Sequence, residues 1–161
     1  MARYKETVIS ATAIAVDTAF FYLMCVAGQG FDLRRIEATL CTVGSAGAPP
    51  DQNGVLGISL ATAAGVGAPS NTGTVVKGRG RYPSDSTIAA TSFATTAPTF
   101  GAAAADPWQG ACSSRGGIFD NWEQPDEWEF PQGVTNGLVL VNRQNALTTP
   151  LAWKVHLEWE V

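Results

Sequence analysis

Apolar and polar residues alternate most regularly over the last eleven positions of the chain. Every second residue from Leu151 to Val161 is apolar, and the residues between them are mostly polar or charged. Successive side chains of a β-strand point to opposite faces, so this pattern predicts a strand with one apolar and one polar face. Pro150 stands just before the segment, where a missing N–H is tolerated.

Shorter segments of the same kind predict seven more strands. Gly137–Asn142 is apolar at consecutive positions, which is typical of a strand buried on both faces. Only Ala102–Ala105 favours a helical turn, and Gly101 and Pro107 leave it no room to extend. The other predicted strands, separated by Gly, Pro, Ser and Asn, are Val8–Val16, Phe20–Val26, Arg35–Val43, the alternating set Leu56, Ile58 and Leu60, and the weaker Gly73–Arg81 and Thr87–Phe93.

About eight short strands in 161 residues predict an all-β fold. A two-sheet antiparallel sandwich that resembles a jelly roll accommodates this number of strands. The long segments 44–53, 61–72 and 94–117 fit this class, because they are long enough to cross between sheets. We therefore expect one domain over residues 1–161, with residues 1–7 as an extended N-terminal arm.

The composition argues against several classes of protein. Charged residues make up 15% of the chain, and the formal net charge is −4; typical domains have about 25% charged residues. Such a chain is a poor candidate for binding nucleic acid, which takes Lys and Arg against phosphates. The apolar run Ala19–Ala27 is shorter than the roughly 20 residues of a membrane helix, and the N-terminal residues do not form a secretory signal. We expect a protein made in a cytoplasm, without nucleic-acid or membrane partners.

The shortage of charge falls mainly in two segments. Asp51 is the one charged residue between Val43 and Ser70, and residues 88–105 contain none. A monomer gains nothing from such neutral loops, whereas loops packed against other copies or against a shell do. The charge pattern therefore predicts contacts at these loops.

Neither the cysteines nor the histidine indicates catalysis or a bound metal. Cys25, Cys41 and Cys112 form no C-x-x-C pair, and we expect them to be small buried hydrophobic residues. His156 is the single histidine, predicted on the polar face of the last strand without a second histidine as partner. We expect no cofactor and no enzymatic activity.

An acidic segment bordered by aromatic residues is the main candidate for a binding surface. Its carboxylates match no calcium-binding loop and are interpreted as a solvated loop or an acidic contact surface. The tryptophans are interpreted as anchors of a protein–protein interface, with core packing and a sugar-binding platform as alternatives. The acidic residues are Asp120, Glu123, Asp126, Glu127 and Glu129, and the aromatic residues are Trp108, Phe119, Trp122, Trp128 and Phe130.

A basic stripe completes the expected contact surface. Lys77, Arg79 and Arg81 stand at alternate positions, so they lie on one face of a predicted strand. The stripe is either a solvated face or a partner for the acidic segment of a neighbouring copy. The expected oligomer or capsid interface comprises Trp108, Phe119, Trp122, Trp128, Lys77, Arg79, Arg81, Asp126 and Glu127.

The order of the segments carries a resemblance to a known group of proteins. The apolar segment Phe20–Val26 precedes the Arg-bearing strand Leu33–Leu40, and the strand Gly54–Leu60 follows a Gly-, Ala- and Pro-rich loop. A Thr- and Ala-rich centre then leads to Gly116–Glu123, and the chain ends in two apolar strands. This order resembles the small jelly-roll structural proteins of tailed bacteriophages, including head decoration (cement) proteins.

The resemblance implies a role in assembly and no catalytic residues. It implies a structural virion protein, assembled in the host cytoplasm, that forms homotrimers. The trimers would bind the major capsid protein or another virion protein and stabilise the capsid surface. One alternative is a carbohydrate- or receptor-binding module of a phage tail or fibre. Another is an all-β hydrolase that uses Glu123 and Asp126 as its carboxylates.

Overall fold

The fold consists almost entirely of β-strands. A computed structural model describes residues 3–25, 28–44, 50–63, 76–77, 89–91, 99–122, 128–133 and 135–161. Within these ranges a short 3-10 helix, Ala103–Ala105, is the single helical element. The strands are β1 (Arg3–Ile9), β2 (Thr18–Met24), β3 (Phe31–Thr42), β4 (Asn53–Ala63), β5 (Val76–Lys77), β6 (Ala89–Thr91), β7 (Thr99–Phe100), β8 (Trp108–Ser113), β9 (Gly117–Asn121), β10 (Glu129–Phe130), β11 (Gly137–Gln144) and β12 (Leu151–Glu160).

The strands form two antiparallel sheets with jelly-roll connectivity. Sheet A has the order β10-β3-β12-β1-β5, with β9 also paired to β3, and sheet B has the order β6-β2-β11-β4-β7, with β8 also paired to β4. The long strands pair from the two ends of the chain inwards: β1 with β12, β2 with β11, β3 with β9 and β4 with β8. This nesting is that of a two-sheet jelly roll and confirms the predicted fold class.

The structure differs from the predicted strands in two places. The N-terminal strand is Arg3–Ile9, in register with β12, where the sequence predicted an arm over residues 1–7 and a strand over Val8–Val16. The buried Glu6 interrupts its apolar alternation, which hides the strand in the sequence. Three further strands, β7, β8 and β9, lie within or beside the predicted loop 94–117. The sequence did not predict β8 and β9 because they contain too few β-branched residues to signal a strand. The predicted helical turn at Ala102–Ala105 is confirmed by the 3-10 helix.

The main core lies between the two sheets and is dense with large side chains. From β12, Trp153, Val155, Leu157 and Trp159 are completely buried. The indole Nε1 of Trp153 donates a hydrogen bond of 3.0 Å to Oδ1 of Asn142 on the opposite sheet, so the polar atom of this side chain is satisfied. The alternation predicted for the last strand therefore places its apolar face in the core.

Charged residues are distributed very unequally between the two sheets. In the described strands of sheet B, Arg143 is the one charged residue. The chain has ten basic and fourteen acidic residues, and thirteen of these charged residues lie in the strands of sheet A. The outward side chains of sheet B are instead apolar and form a second buried cluster with Val139 and Val141. The thirteen are Arg3, Lys5, Glu6, Asp32, Arg34, Arg35, Glu37, Lys77, Asp120, Glu129, Lys154, Glu158 and Glu160.

Arg143 holds the segment before β8 against the outer face of sheet B. Its guanidinium forms a two-point contact with the fully buried Asp106, with an Nε to Oδ2 distance of 2.6 Å, and also binds Asp17 and the carbonyl of Gly101. Burial alone would lower the pKa of Arg143, but the hydrogen bonds and charges of Asp106 and Asp17 raise it above its ordinary value. The absent side chain of Gly57 leaves space for this ion pair.

We expect Arg143→Met to lower the free energy of unfolding by about 3–5 kcal/mol, because it leaves Asp106 buried without its partner. Arg115→Met is the matched control, since Arg115 and Asp51 form an ion pair with both side chains more than two-thirds exposed. The control should lose no more than about 1 kcal/mol. Urea unfolding of the two variants measures both values, and equal losses would contradict the role given to Arg143.

Glu6 is a carboxyl group in the apolar interior. It is 1% exposed, it stands between the inward-facing Tyr4 and Val8 on β1, and neither of its oxygens has a hydrogen-bond partner. Burial disfavours the charged form and raises the pKa of Glu6 to about 7. The folded protein therefore retains a proton at pH values where the unfolded chain has lost it.

We expect the free energy of unfolding to fall as the pH rises from about 4.5 to 7, by on the order of 3 kcal/mol, because the protein must either ionise Glu6 in the core or keep its proton. Glu6→Gln should remove this part of the pH dependence, and Glu37→Gln, at a half-buried position that is paired with Arg35, should not. Urea unfolding at pH 5 and pH 8 measures the difference. An unchanged slope in Glu6→Gln would refute the assignment.

Candidate functional site

Aromatic side chains close one side of the sandwich, where β8 of sheet B meets β9 and β10 of sheet A. Trp122 lies at the centre, with its ring 6.4 Å from that of Trp108 and 5.1 Å from that of Trp128. The row continues through Phe130, whose ring stacks on Phe31 at 4.6 Å. These rings contact one another and the core, so they join the two sheets along this side.

The predicted interface tryptophans therefore differ in what they offer to a partner. Trp122 is 7% exposed and belongs to the core, which was one of the interpretations left open by the sequence. Trp108 and Trp128 are half-buried against that core. The Nε1 of Trp108 donates a hydrogen bond of 3.0 Å to Asp120, which explains why a carboxylate lies beside these rings. The three rings are tilted or perpendicular to each other and form no flat exposed platform.

Phe119 is the predicted interface residue that faces solvent. Its side chain is 61% exposed, the largest exposure among the large hydrophobic side chains of the described residues. It lies on the outer face of sheet A, opposite Glu37 on β3, and the guanidinium of Arg35 lies 5.0 Å from the centre of its ring. An exposed aromatic ring beside an arginine is a typical composition for the centre of a protein–protein contact.

An ion-pair network covers the end of the same face. Arg34, with a side chain only 7% exposed, binds both Asp32 and Glu160, and Arg3 binds Glu160 at 2.8 Å. Burial alone would raise the pKa of Glu160, but the hydrogen bonds and charges of Arg3 and Arg34 lower it below its ordinary value. Glu160 is therefore ionised at neutral pH and has no proton to donate.

Two cavities open on the surface of the described residues. One of about 450 Å³ is lined by Gly28, Phe31, Asp32, Glu129, Gln132 and Glu160, beside the ion-pair network. Another of about 440 Å³ is lined by Asn53, Val55, Ala111, Ser113, Gln144 and Asn145. In the first cavity Asp32 and Glu160 are already engaged by Arg34, and the second has neutral amide and hydroxyl groups.

Several predicted site residues lie outside the described residues. Arg79, Arg81, Asp126 and Glu127 belong to this group, and so does Glu123. Of the basic stripe, the structure describes the backbone of Lys77, which pairs with Tyr4. The basic stripe and most of the acidic segment consequently remain predictions.

The cysteines are free thiols, and the histidine lies beside a threonine hydroxyl. Cys25 and Cys112 are buried as predicted, whereas Cys41 is half-buried, and all three are free. Burial raises the pKa of each thiol, to about 11 for Cys25, which makes the reactive thiolate scarce. His156 lies on the polar face of β12 as predicted, with Nδ1 3.0 Å from Oγ1 of Thr7.

Searches for metal and membrane sites among the described residues give negative results. Within them, no three or more His, Cys, Asp and Glu side chains are arranged to hold a metal ion. The same part of the chain contains no helix long and apolar enough to span a membrane.

Comparisons with known proteins find no significant match. This holds for the comparison with protein families, for that with curated proteins and for that with solved structures.

We expect Trp122→Ala and Phe119→Ala to have very different effects on stability. Trp122→Ala leaves a large cavity at the junction of the sheets and should cost about 3–5 kcal/mol of unfolding free energy. Phe119→Ala removes an exposed ring and should change the stability by less than about 1 kcal/mol. Urea unfolding distinguishes the two sites, and a small loss in Trp122→Ala would contradict its place in the core.

Proposed function

We propose that this protein is a non-enzymatic structural component of a virus particle. In this proposal it self-associates and binds the capsid surface, through the major capsid protein or another virion protein, and thereby stabilises the shell. The jelly roll supports this class, because viral capsid domains and lectins both use it. The resemblance to phage decoration proteins supports the finer assignment, including a trimer and a location on the virion.

The observation that carries the proposal is the position of Phe119. A ring that is 61% exposed on an edge strand is available to a partner, and a contact with another chain would remove its apolar surface from water. Arg35 and Glu37 beside it supply the polar rim that such a contact needs. The exposed ring and its polar rim therefore support a contact with a protein partner at this position.

The tryptophan geometry favours this function over the carbohydrate-binding alternative. A sugar ring stacks on a flat, solvent-facing aromatic surface. Trp108, Trp122 and Trp128 instead pack against one another, and Trp153 and Trp159 are completely buried. Phe119 alone, with a guanidinium over its ring, is better suited to a protein partner.

We expect the purified protein to be a homo-oligomer at micromolar concentration, built from the trimers that the resemblance implies. Light scattering after size exclusion measures the mass. Sedimentation with empty phage heads of the same virus, stripped of outer proteins, measures capsid binding, and Phe119→Lys should reduce the bound fraction at least tenfold. Lys5→Glu, on the same face but three strands away, is the control.

Two results would contradict the proposal. One is a monomer that does not sediment with the heads. The other is binding to a glycan array that Phe119→Lys leaves intact, which would favour the carbohydrate-binding module.

A further inference from the structure

The edge of the sandwich formed by β8 and β9 presents uncharged side chains outwards, and the inward-facing Asp120 of β9 accepts a hydrogen bond of 2.9 Å from the amide of Asn121. In the described residues β9 pairs only with β3, and β8 pairs only with β4. Charged side chains, prolines and bulges normally prevent an edge from pairing with another chain. The outward-facing residues here include none of them; they are Gln109, Ala111 and Ser113 on β8, and Gly117, Phe119 and Asn121 on β9.

The hydrogen-bond register shows which backbone groups point away from the sheet. The amide of Trp122 donates to the carbonyl of Arg34 at 2.8 Å, which makes Trp122 and Arg34 a hydrogen-bonded pair of the β3–β9 ladder. Such pairs alternate with pairs whose N–H and C=O groups point outwards. Phe119 is three residues from Trp122, an odd number, so its N–H and C=O groups both point away from β3 to the open edge.

The same reasoning applies to β8. The amide of Ser114 donates to the carbonyl of Gln52 at 2.8 Å, so the backbone groups of Ala111 point outwards from sheet B. Ala111 and Phe119 each lie four residues from Arg115, at the middle of the turn that joins the two strands. The two open positions therefore lie at the same height along the edge of the sandwich.

We propose that this edge pairs with the same edge of a second copy, across a two-fold axis between the two Phe119 residues. Antiparallel pairing of β9 with itself makes Phe119 face its counterpart and exchanges two N–H···O=C bonds. In this register Gly117 faces Asn121 of the other copy, so the larger side chain meets the smallest. The same axis brings the two Ala111 residues to face each other in sheet B.

The chemistry of the edge fits a second copy. A two-fold contact places each residue near its own counterpart, so a charged edge would set like charges opposite one another. All six outward-facing residues are uncharged, and the nearest charged side chains on the outer face, Arg35 and Glu37, bind each other. The pairing would bring the two exposed Phe119 rings into contact on the outer face of sheet A and extend this sheet continuously over two copies.

The inference deepens the proposed function, on whose self-association it rests. A two-fold contact joins copies in pairs and is separate from the three-fold contact that a decoration trimer implies. Both contacts can act in one shell, where the two-fold contact would link neighbouring trimers.

Disulfide trapping tests the pairing. In the proposed register the Cα atoms at position 119 lie about 5.5 Å apart, within the range that a disulfide spans. Phe119→Cys, in a Cys41→Ser background that leaves only the buried Cys25 and Cys112, should form a covalent dimer under mild oxidation in most of the protein. Lys5→Cys, exposed on β1 of the same sheet, is the control, and less than about a tenth of this variant should form the covalent dimer.

A second variant tests the same contact without a new thiol. Phe119→Lys places like charges across the axis, so light scattering should show a smaller mass than the wild type, with an unchanged circular dichroism spectrum. An oligomeric wild type with no trapped dimer would overturn the β9 pairing and leave the proposed function standing. A monomeric wild type would overturn the pairing, and a monomer that also fails to sediment with the phage heads would overturn both.

Discussion

The fold depends on the burial of one face of β12. This strand lies between β1 and β3 in sheet A, and its inward side chains Trp153 and Trp159 are completely buried against sheet B. The position of Gly54 follows from this packing, because a side chain there would meet the ring of Trp153 at 2.7 Å. With β12 packed in the core, the nested pairing of the jelly roll determines the positions of the remaining long strands. The edge strands β8 and β9 come last in each sheet and are held mainly by one neighbour and by the row of rings around Trp122.

The outer faces of the two sheets carry different kinds of side chain. Sheet A presents charged side chains that pair with one another, as Arg34 does with Asp32 and Glu160. Sheet B is almost free of charge, and its outward Val139 and Val141 are buried. Arg143 is the exception, and its charge is neutralised at the buried Asp106. Part of the charge shortage in the sequence is thus explained within one chain, because the interior strand β4 extends over residues 53–63, beyond the strand predicted around Leu56, Ile58 and Leu60.

Much of the fold could be predicted from the sequence, but less of the candidate site. The period-two pattern is strong where one face is apolar throughout, as in β12, and such strands were located correctly. It fails where an inward residue is charged, as Glu6 is in β1, or where small residues form the strand, as Gly110 and Ala111 do in β8. The sequence left the role of Trp122 open between an interface and the core, and the packing of its ring between Trp108 and Trp128 assigns it to the core. The Arg143–Asp106 pair joins positions 37 apart and leaves no local signal.

The distribution of charge also determines which surface of the chain is available for association. Covering the outer face of sheet A would remove water from the network around Arg34 and Glu160, and the cost of desolvating charges commonly exceeds what a new contact returns. The edge at β8 and β9 carries no such cost, because its outward residues are neutral and Phe119 gains from burial. Backbone groups at an edge also lose nothing when another strand replaces water as their partner. A sandwich of this kind is therefore expected to pair with a second copy side by side through this edge, which leaves the ion pairs around Arg34 and Glu160 in contact with water.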